Sequence, residues 1–265
     1  MAGAAQGSLH ESWQVQRKVI HALLMREILT RFGRHNIGFL WLFVEPMMFT
    51  LGVTALWTAT QSVHGSSLPI SAFALTGYSS VLLWRNMPAR CIGSITPNLS
   101  LMYHRNVKVI DIFISRLLLE AVGASVSFFV LSIVFHAIGW IDYPEDVLKV
   151  IWGWLMLTWF GMSLAMTLGA LAERSELVDK FWHPLAYLLF PLSGAAFLVD
   201  PFPPDVREYL LILPMVHATE YIREGYFGTK IVAHHDLGYM ALFSLALTFI
   251  ALTQIRYVSK RVVPE

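Results

Sequence analysis

The sequence of 265 residues is 56% hydrophobic and 14% charged, with a net charge of +1 and one cysteine, Cys91. An average soluble domain is roughly 45–50% apolar and about 25% charged, and a chain of this size cannot hide so large an apolar excess in one water-soluble core. The composition therefore argues against a soluble enzyme and excludes a disordered, collagen-like or disulfide-stapled chain, while the near-neutral charge argues against a nucleic-acid partner, whose footprint is a strong basic excess.

The first 36 residues form a basic leader. Within it, Trp13 to Leu24 places Trp13, Val19, Ile20, Leu23 and Leu24 on one side of a helical wheel and Gln14, Arg17, Lys18 and His21 on the other. That is the pattern of an interfacial helix lying along a membrane, either as a plain anchor or as a relay of force into the chain that follows. The leader does not have the form of a cleavable signal peptide.

A bilayer core of about 30 Å needs roughly 20 apolar residues of helix, and six stretches qualify as spans. They are Ile37–Thr60, Ser71–Trp84 with its flank Leu68–Ile70, Ile112–Trp140, Val147–Ala172, Phe181–Val199 and Leu237–Tyr257. The second is short and rich in Ser, Thr and Gly. Ionisable groups inside spans are functional candidates, because burying charge in lipid is costly. In the first span Glu45 precedes Pro46, which frees backbone carbonyls, so Glu45 either faces a polar pathway or pairs with a neighbouring arginine. In the third, Arg116 and Glu120 are four apart and are expected to pair with each other. Trp41, Trp57, Trp84, Trp140, Trp152, Trp154 and Trp182 lie in or near spans, and an interfacial aromatic belt accounts for most of them.

Two connecting segments stand out. Asn98–Asp111 follows a turn signal at Pro97-Asn98 and mixes apolar residues with Tyr103, His104, Arg105 and Lys108; it reads either as a solvated loop or as a protrusion that plugs into a partner groove. Asp200–Asp236 contains two short apolar helices split by Pro214, the second ended by Gly225 and Gly228, which suits re-entrant or interfacial packing. The His234-His235-Asp236 run lacks the helical spacing of a metal site and reads as a solvated loop.

Lysine and arginine set the orientation. Fifteen of the 19 fall in the leader, the segments after spans two and four, and the tail, leaving Lys149, Arg207, Arg223 and Lys230 on the other side. Six spans with both termini in the cytoplasm is the consistent solution. The sequence has no Gly-Lys-Ser/Thr phosphate loop, no second cysteine for a redox pair or a zinc site, and no Gly-x-Ser-x-Gly elbow.

Residues Met25–Pro46, Arg105–Arg116, Phe190–Phe197 and Glu220–Gly228 closely resemble, in order, blocks of the membrane subunit of bacterial capsular polysaccharide exporters, within the type-2 ABC exporter permeases. The likeness covers nearly the whole chain from Trp13 to the tail. It implies an all-α integral membrane fold and a single permease domain over residues 1–265: a cytoplasmic leader with an interface helix (1–36), a six-span bundle (37–257) and a cytoplasmic tail (258–265). It implies a homodimer in the bacterial inner membrane joined to two separate ATPase subunits that bind ATP and Mg, this chain itself binding no cofactor and no metal and not acting as an enzyme.

The same likeness makes Asn98, Tyr103, His104, Arg105, Asn106, Val107 and Lys108 a coupling helix on the ATPase, and Trp13, Arg17, Lys18, Arg26 and Arg31 parts of the interface helix. Trp41, Glu45, Tyr78, Trp182 and Tyr187 become candidates for the substrate pathway along the dimer interface, and Glu220, Tyr221, Arg223 and Glu224 parts of an outer re-entrant gate. The substrate would be a capsular polysaccharide on a lipid carrier, passed on to a periplasmic co-polymerase-like protein and an outer-membrane channel. An exporter of O-antigen, teichoic acid or another lipid-linked glycan shares this architecture; an integral-membrane glycosyl- or acyltransferase, or a scaffold that tethers an ATPase, are more distant alternatives.

Overall fold

A computed structural model describes residues 9–32, 36–60, 68–103 and 107–262. Every regular element among them is helical: α1 Leu9–Phe32, α2 Asn36–Thr60, α3 Ile70–Cys91, α4 Leu99–Met102, α5 Val109–Ala137, α6 Val147–Ala172, α7 Glu176–Leu192, α8 Pro204–Leu210, α9 Pro214–Phe227 and α10 Leu237–Val262. Four stretches among the described residues are long and apolar enough to cross a membrane: Leu40–Thr60 of α2, Val109–Ala137, Val147–Ala172 and Leu237–Arg261 of α10. Each exceeds the ~20 residues needed at 1.5 Å per residue. α10 continues past Tyr257, so most of the expected tail is an extension of the last helix.

The second and fifth expected spans differ from the pattern read in the sequence. α3 runs on from Trp84 to Cys91 and carries Arg85, Asn86 and Arg90, which dilute its apolar character. From Ala72 to Trp84 every residue is buried, because α2, α5 and α6 pack around the helix. Its hydroxyls are satisfied locally: Thr76 and Ser80 donate to the carbonyls of Ala72 and Thr76. A helix sheathed by protein has no need of the hydrophobicity that lipid exposure demands.

α7 starts at Glu176, earlier than expected, with Glu176 and Asp179 in the first turn where the helix dipole favours acids. It stops at Leu192 rather than Val199. Pro191 closes it, and Gly194, at φ +80°, turns the chain out of the helix. Its 17 residues span about 25 Å, short of a ~30 Å core.

α6 is the central pillar and packs on α3, α9 and α10. Gly153, Gly161 and Gly169 are spaced by eight, so each lies about 80° further round α6 than the one before, and the first faces α9 while the other two face α3. A Cβ added at Gly153 would meet Ile222 of α9 at 2.7 Å, one at Gly161 would meet Trp84 Cα of α3 at 3.0 Å, and one at Gly169 would meet Cys91 Cβ at 2.6 Å. Small residues of this kind let helix backbones approach, which is the main source of helix association in lipid. The tryptophans divide accordingly: Trp84, Trp154 and Trp182 are buried, while Trp41, Trp140 and Trp152 are more than half exposed, so the expected belt accounts for only part of the set.

Candidate functional site

The C-terminal half of α3, together with α2 and α7, lines an open cavity of about 270 Å³ whose walls include Glu45, Arg85, Asn86, Arg90, Trp182, His183 and Tyr187. Three of the five residues expected on a substrate pathway, Glu45, Trp182 and Tyr187, are brought together here. Trp41 does not line the cavity and is 53% exposed. Tyr78 is buried higher on α3 in an aromatic cluster, edge-on to Trp57 at 5.4 Å and to Phe190 at 5.2 Å. Arg85 lies 4.5 Å over the ring of Tyr187 and 5.6 Å from that of Phe190. Sequence reasoning missed Arg85 and Asn86 because it ended the second span at Trp84; an arginine directly after an apolar run was the available signal.

Beside the cavity, α1 runs parallel to α5 and locks onto it through polar contacts. Gln16 donates to Asp111, Glu27 accepts from Arg116 Nε at 3.2 Å, and Arg31 pairs with Glu120. Arg90 of the cavity wall reaches the same Glu120 oxygen at 2.7 Å. The expected Arg116–Glu120 pair within α5 does not form: each is claimed by a residue of another helix, and Arg116 Nη1 also donates to the carbonyl of Arg90 at 3.0 Å. Arg26 and Arg31 are thus internal struts. Trp13, by contrast, is 65% exposed and lines a shallow groove with Arg17 and Lys18, because this end of α1 projects beyond the start of α5. Leu23 packs against the bundle, so Trp13 does not share its fate.

The expected coupling helix is much shorter than Asn98–Asp111. A 3₁₀ turn Thr96–Asn98 leads into the four-residue α4, and Tyr103 follows, 75% exposed. Val107 and Lys108 precede α5, where the Lys108 N–H donates to Asp111 at 2.9 Å. His104, Arg105 and Asn106 lie outside the described residues. Asn98 is buried, donating to the Ser94 carbonyl at 2.7 Å and accepting from Arg26. The leader helix therefore grips the base of the protrusion as well as α5.

At the opposite end, α9 carries the four expected gate residues. Glu220 is buried and accepts the N–H groups of Val199 and His234 at 3.3 and 3.2 Å. Arg223, also buried, donates to the carbonyls of Gly194, Ala195 and Phe197 and lies 3.8 Å over the ring of Phe73. Glu224 bridges Lys149 at 2.8 Å and His235 at 2.6 Å, and Lys149 holds its carboxyl below the usual carboxylate range. Tyr221 packs edge-on against His235 at 4.9 Å.

Gly228, at φ +55°, ends α9, but Gly225 lies inside it, pressed against Asp146 and Val150 of the next layer. His234-His235-Asp236 is not a solvated loop: His234 contacts Asp200 at 2.9 Å, and the Asp236 N–H donates to His217 at 2.8 Å. Three or more potential metal-ligating side chains do not converge anywhere among the described residues.

The model of the ABC-2 type transporter family matches residues 18–227. The chain is 44% identical over 258 residues to the capsule polysaccharide export inner-membrane protein CtrC of Neisseria meningitidis serogroup B, with 97% of each chain covered. It is 42% identical over 260 residues to the capsule polysaccharide export inner-membrane protein BexB of Haemophilus influenzae, with 98% of each covered. Against the polysialic acid transport protein KpsM of Escherichia coli it is 28% identical over 247 residues, 92% of this chain and 95% of that one. The matched residues run from α1 to the end of α9 and so take in the cavity, the protrusion and the outer helices alike, which places the chain in the ABC-2 type transporter family of membrane permeases.

Proposed function

We propose that this chain is the inner-membrane permease subunit of an ATP-driven exporter that moves capsular polysaccharide, carried on a lipid, from cytoplasm to periplasm. The observation that carries this reading is the identity of 44% and 42% with two proteins named for capsule polysaccharide export, over essentially the full length of each chain. On this reading α2, α3, α5, α6, α7 and α10 are the six spans, both termini face the cytoplasm, and α8 and α9 form an outer re-entrant gate. Two copies pair with the substrate pathway between them. ATP and Mg belong to two separate ATPase subunits, in keeping with a sequence that has no phosphate loop. A periplasmic co-polymerase-like protein and an outer-membrane channel receive the polymer.

In the cycle that follows from this, closure of the ATPases pushes on Asn98–Lys108. The push passes through Arg26 to α1, and through Glu120 to α3 and α5, so that the wall of the cavity moves with the protrusion. Replacing Tyr103–Lys108 by a Gly/Ser linker is expected to abolish co-purification of the ATPase and glycan-stimulated ATP turnover in a reconstituted complex. Undiminished co-purification would remove the coupling role from this segment. The export function itself is tested by reconstitution with the cognate ATPase, where ATP-dependent delivery of glycan across the bilayer is expected.

A further inference from the structure

The C-terminal end of α10 gathers cations that the protein itself does not neutralise. Arg174, in the turn between α6 and α7, lies 4.5 Å over the ring of Tyr257, and Arg261 lies 4.3 Å over the same ring. Arg174 Nη1 also donates to Gln254 at 2.6 Å, which ties the turn to α10 but brings no negative charge. Arg256 and Lys260 stand exposed on the same stretch of helix. Among the described residues none of these four cations forms an ion pair. The acids of the neighbouring turn are spent elsewhere: Glu173 faces the backbone N–H of Ile95, Glu176 pairs with Lys180 at 3.5 Å, and Asp179 with His183 at 3.4 Å.

A tyrosine face attracts a guanidinium, but two of them on one ring stand within about 9 Å of each other and repel. Such a pair is settled by an anion that takes hydrogen bonds from both. Snorkelling and the positive-inside bias account for basic residues near the end of a span. They do not account for two guanidiniums drawn together while the nearest carboxylates turn away. The contrast with α1 and α5 is direct, since Arg26, Arg31 and Arg116 are committed to Asn98, Glu120 and Glu27.

The surface that leads to this cluster is apolar. Leu242, Phe249 and Arg256 are seven apart, about two turns, so they form one row, with Leu245 and Leu252 beside it. The four apolar residues are exposed, because α10 packs with its opposite side, against α6 and α9. From Arg256 to Leu245 the helix rises about 16 Å, the depth of one leaflet of a ~30 Å core. An apolar row one leaflet deep that ends in unpaired cations is complementary to a molecule with an acyl chain and an anionic head. A second copy meeting this face about a two-fold axis would bring the same cations against it.

We propose that the exposed face of α10, together with Arg174, is a binding site for an anionic phospholipid of the inner leaflet. Arg174, Arg261, Arg256 and Lys260 receive its phosphate, and a chain lies along Leu252, Phe249 and Leu245. The site is separate from the cavity between α2, α3 and α7, none of whose walls comes from α10. It takes from the export reading only the orientation of α10, and it concerns the surrounding bilayer rather than the cargo. The bound lipid joins α10 to the α6–α7 turn and, through Glu173 and Ile95, to the base of the protrusion.

The test uses the full permease–ATPase complex in detergent, with bound lipid counted by native mass spectrometry. The probes are phosphatidylglycerol, phosphatidylcholine with the same acyl chains, and glycerol 3-phosphate, which carries an anionic phosphate without chains. Phosphatidylglycerol is expected to bind about twentyfold more tightly than phosphatidylcholine, and Arg174→Gln or Arg261→Gln to lower that preference about fivefold each, the scale of one basic residue near an anionic leaflet. Arg261→Lys, which keeps the charge, should retain most of it. Lys180→Gln, which removes a nearby cation already paired with Glu176, should leave it unchanged. Phe249→Gln should weaken both lipids alike, and glycerol 3-phosphate should not be retained.

Equal retention of the two lipids, or a preference that survives the Arg174→Gln/Arg261→Gln double variant, overturns the proposal. So does a Lys180→Gln complex that loses as much preference as Arg261→Gln, since the effect is then one of overall charge. Retention of glycerol 3-phosphate as strong as that of phosphatidylglycerol makes the cluster a phosphate site and removes the lipid. A double variant that keeps its phosphatidylglycerol but sheds the ATPase turns the patch into a contact with that subunit. The substituted positions carry exposed side chains, and the thermal midpoint of each lipid-free complex separates loss of lipid from loss of fold.

Discussion

Arg223 shows how one side chain can hold an otherwise untenable piece of backbone. Where Gly194 turns the chain out of α7, the carbonyls of Gly194, Ala195 and Phe197 lose the partners a continuing helix would give them. Arg223 donates to all three from full burial. Gly77 keeps the space open, since a Cβ there would fall 2.2 Å from the Ala195 oxygen and 2.6 Å from Arg223 Nη2. Arg223→Leu leaves three buried acceptors unmet and is expected to cost about 3–5 kcal/mol, enough to lose the folded protein in detergent. Arg223→Lys, which keeps the charge but not the planar fork, should lower the thermal midpoint without abolishing folding. Gly77→Ala should resemble the milder variant. A wild-type midpoint for Arg223→Leu would show that the loop finds its partners elsewhere.

His217 in the same helix accepts the Asp236 N–H on Nδ1 at 2.8 Å and faces the Leu211 carbonyl with Nε2 at 2.7 Å, which fixes a neutral ring with its proton on Nε2. Burial pushes its pKa below the ordinary imidazole value, and His235 adds to this, while Asp236 and the Leu211 bond oppose it. The stabilisation is therefore complete above an unfolded value of ~6.5 and is lost as pH falls from there toward the folded value. The thermal midpoint should drop between pH 7.5 and pH 5.5, and His217→Gln should flatten that dependence.

At the scale of elements, the governing contact is the shared carboxylate of Glu120, which ties α1, α3 and α5 at one point through Arg31 and Arg90. Glu120→Gln would leave two guanidiniums facing each other without their counter-ion. It is expected to loosen α1, seen as faster amide exchange over Leu9–Phe32, and to lower glycan-stimulated ATP turnover while basal turnover persists. Unchanged exchange in α1 would show that Glu27–Arg116 and packing of Leu23 suffice. This network was not legible in the sequence. A spacing of four on one helix suggested an Arg116–Glu120 pair, and only the parallel docking of α1 brings competing partners to both.

The long apolar helices were legible because lipid exposure demands uniform hydrophobicity, and the two outer helices because Pro214 and Gly228 punctuate them. The true extent of α3 and α7 was not. Burial within protein replaces hydrophobicity in α3, and three carbonyl bonds from a distant arginine replace the end of α7. The cavity was half legible: aromatic residues and Glu45 stood out within spans, while Arg85 fell beyond a boundary drawn by hydropathy.

For the whole molecule, the same considerations bear on how many helices cross the bilayer. Hydropathy alone admits four. With four, α3 and α7 would fold back, the protrusion with Tyr103 and the basic residues of α3 would lie outside, and the link after α5 would lie inside. That arrangement puts Arg85, Arg90 and Lys108 on the face that the leader's arginines avoid, against the positive-inside bias. With six, α3 crosses inside a sheath of α2, α5 and α6. The short α7 is completed by the 193–199 loop, whose carbonyls are met by Arg223, the condition under which non-helical backbone is tolerated at membrane depth.

The native cysteine, Cys91, is fully buried, so single cysteines at exposed positions report sidedness cleanly. Tyr103→Cys, Tyr143→Cys, Leu177→Cys and Val232→Cys replace residues that are 75%, 74%, 59% and 61% exposed. Six spans require a membrane-impermeant maleimide, added to intact spheroplasts, to label positions 143 and 232 and to spare 103 and 177 until the membrane is opened. Four spans reverse three of these outcomes, leaving only position 232 unchanged. Labelling of position 103 in intact cells would thus remove the protrusion from the ATPase side, and with it the coupling route through Arg26 and Glu120.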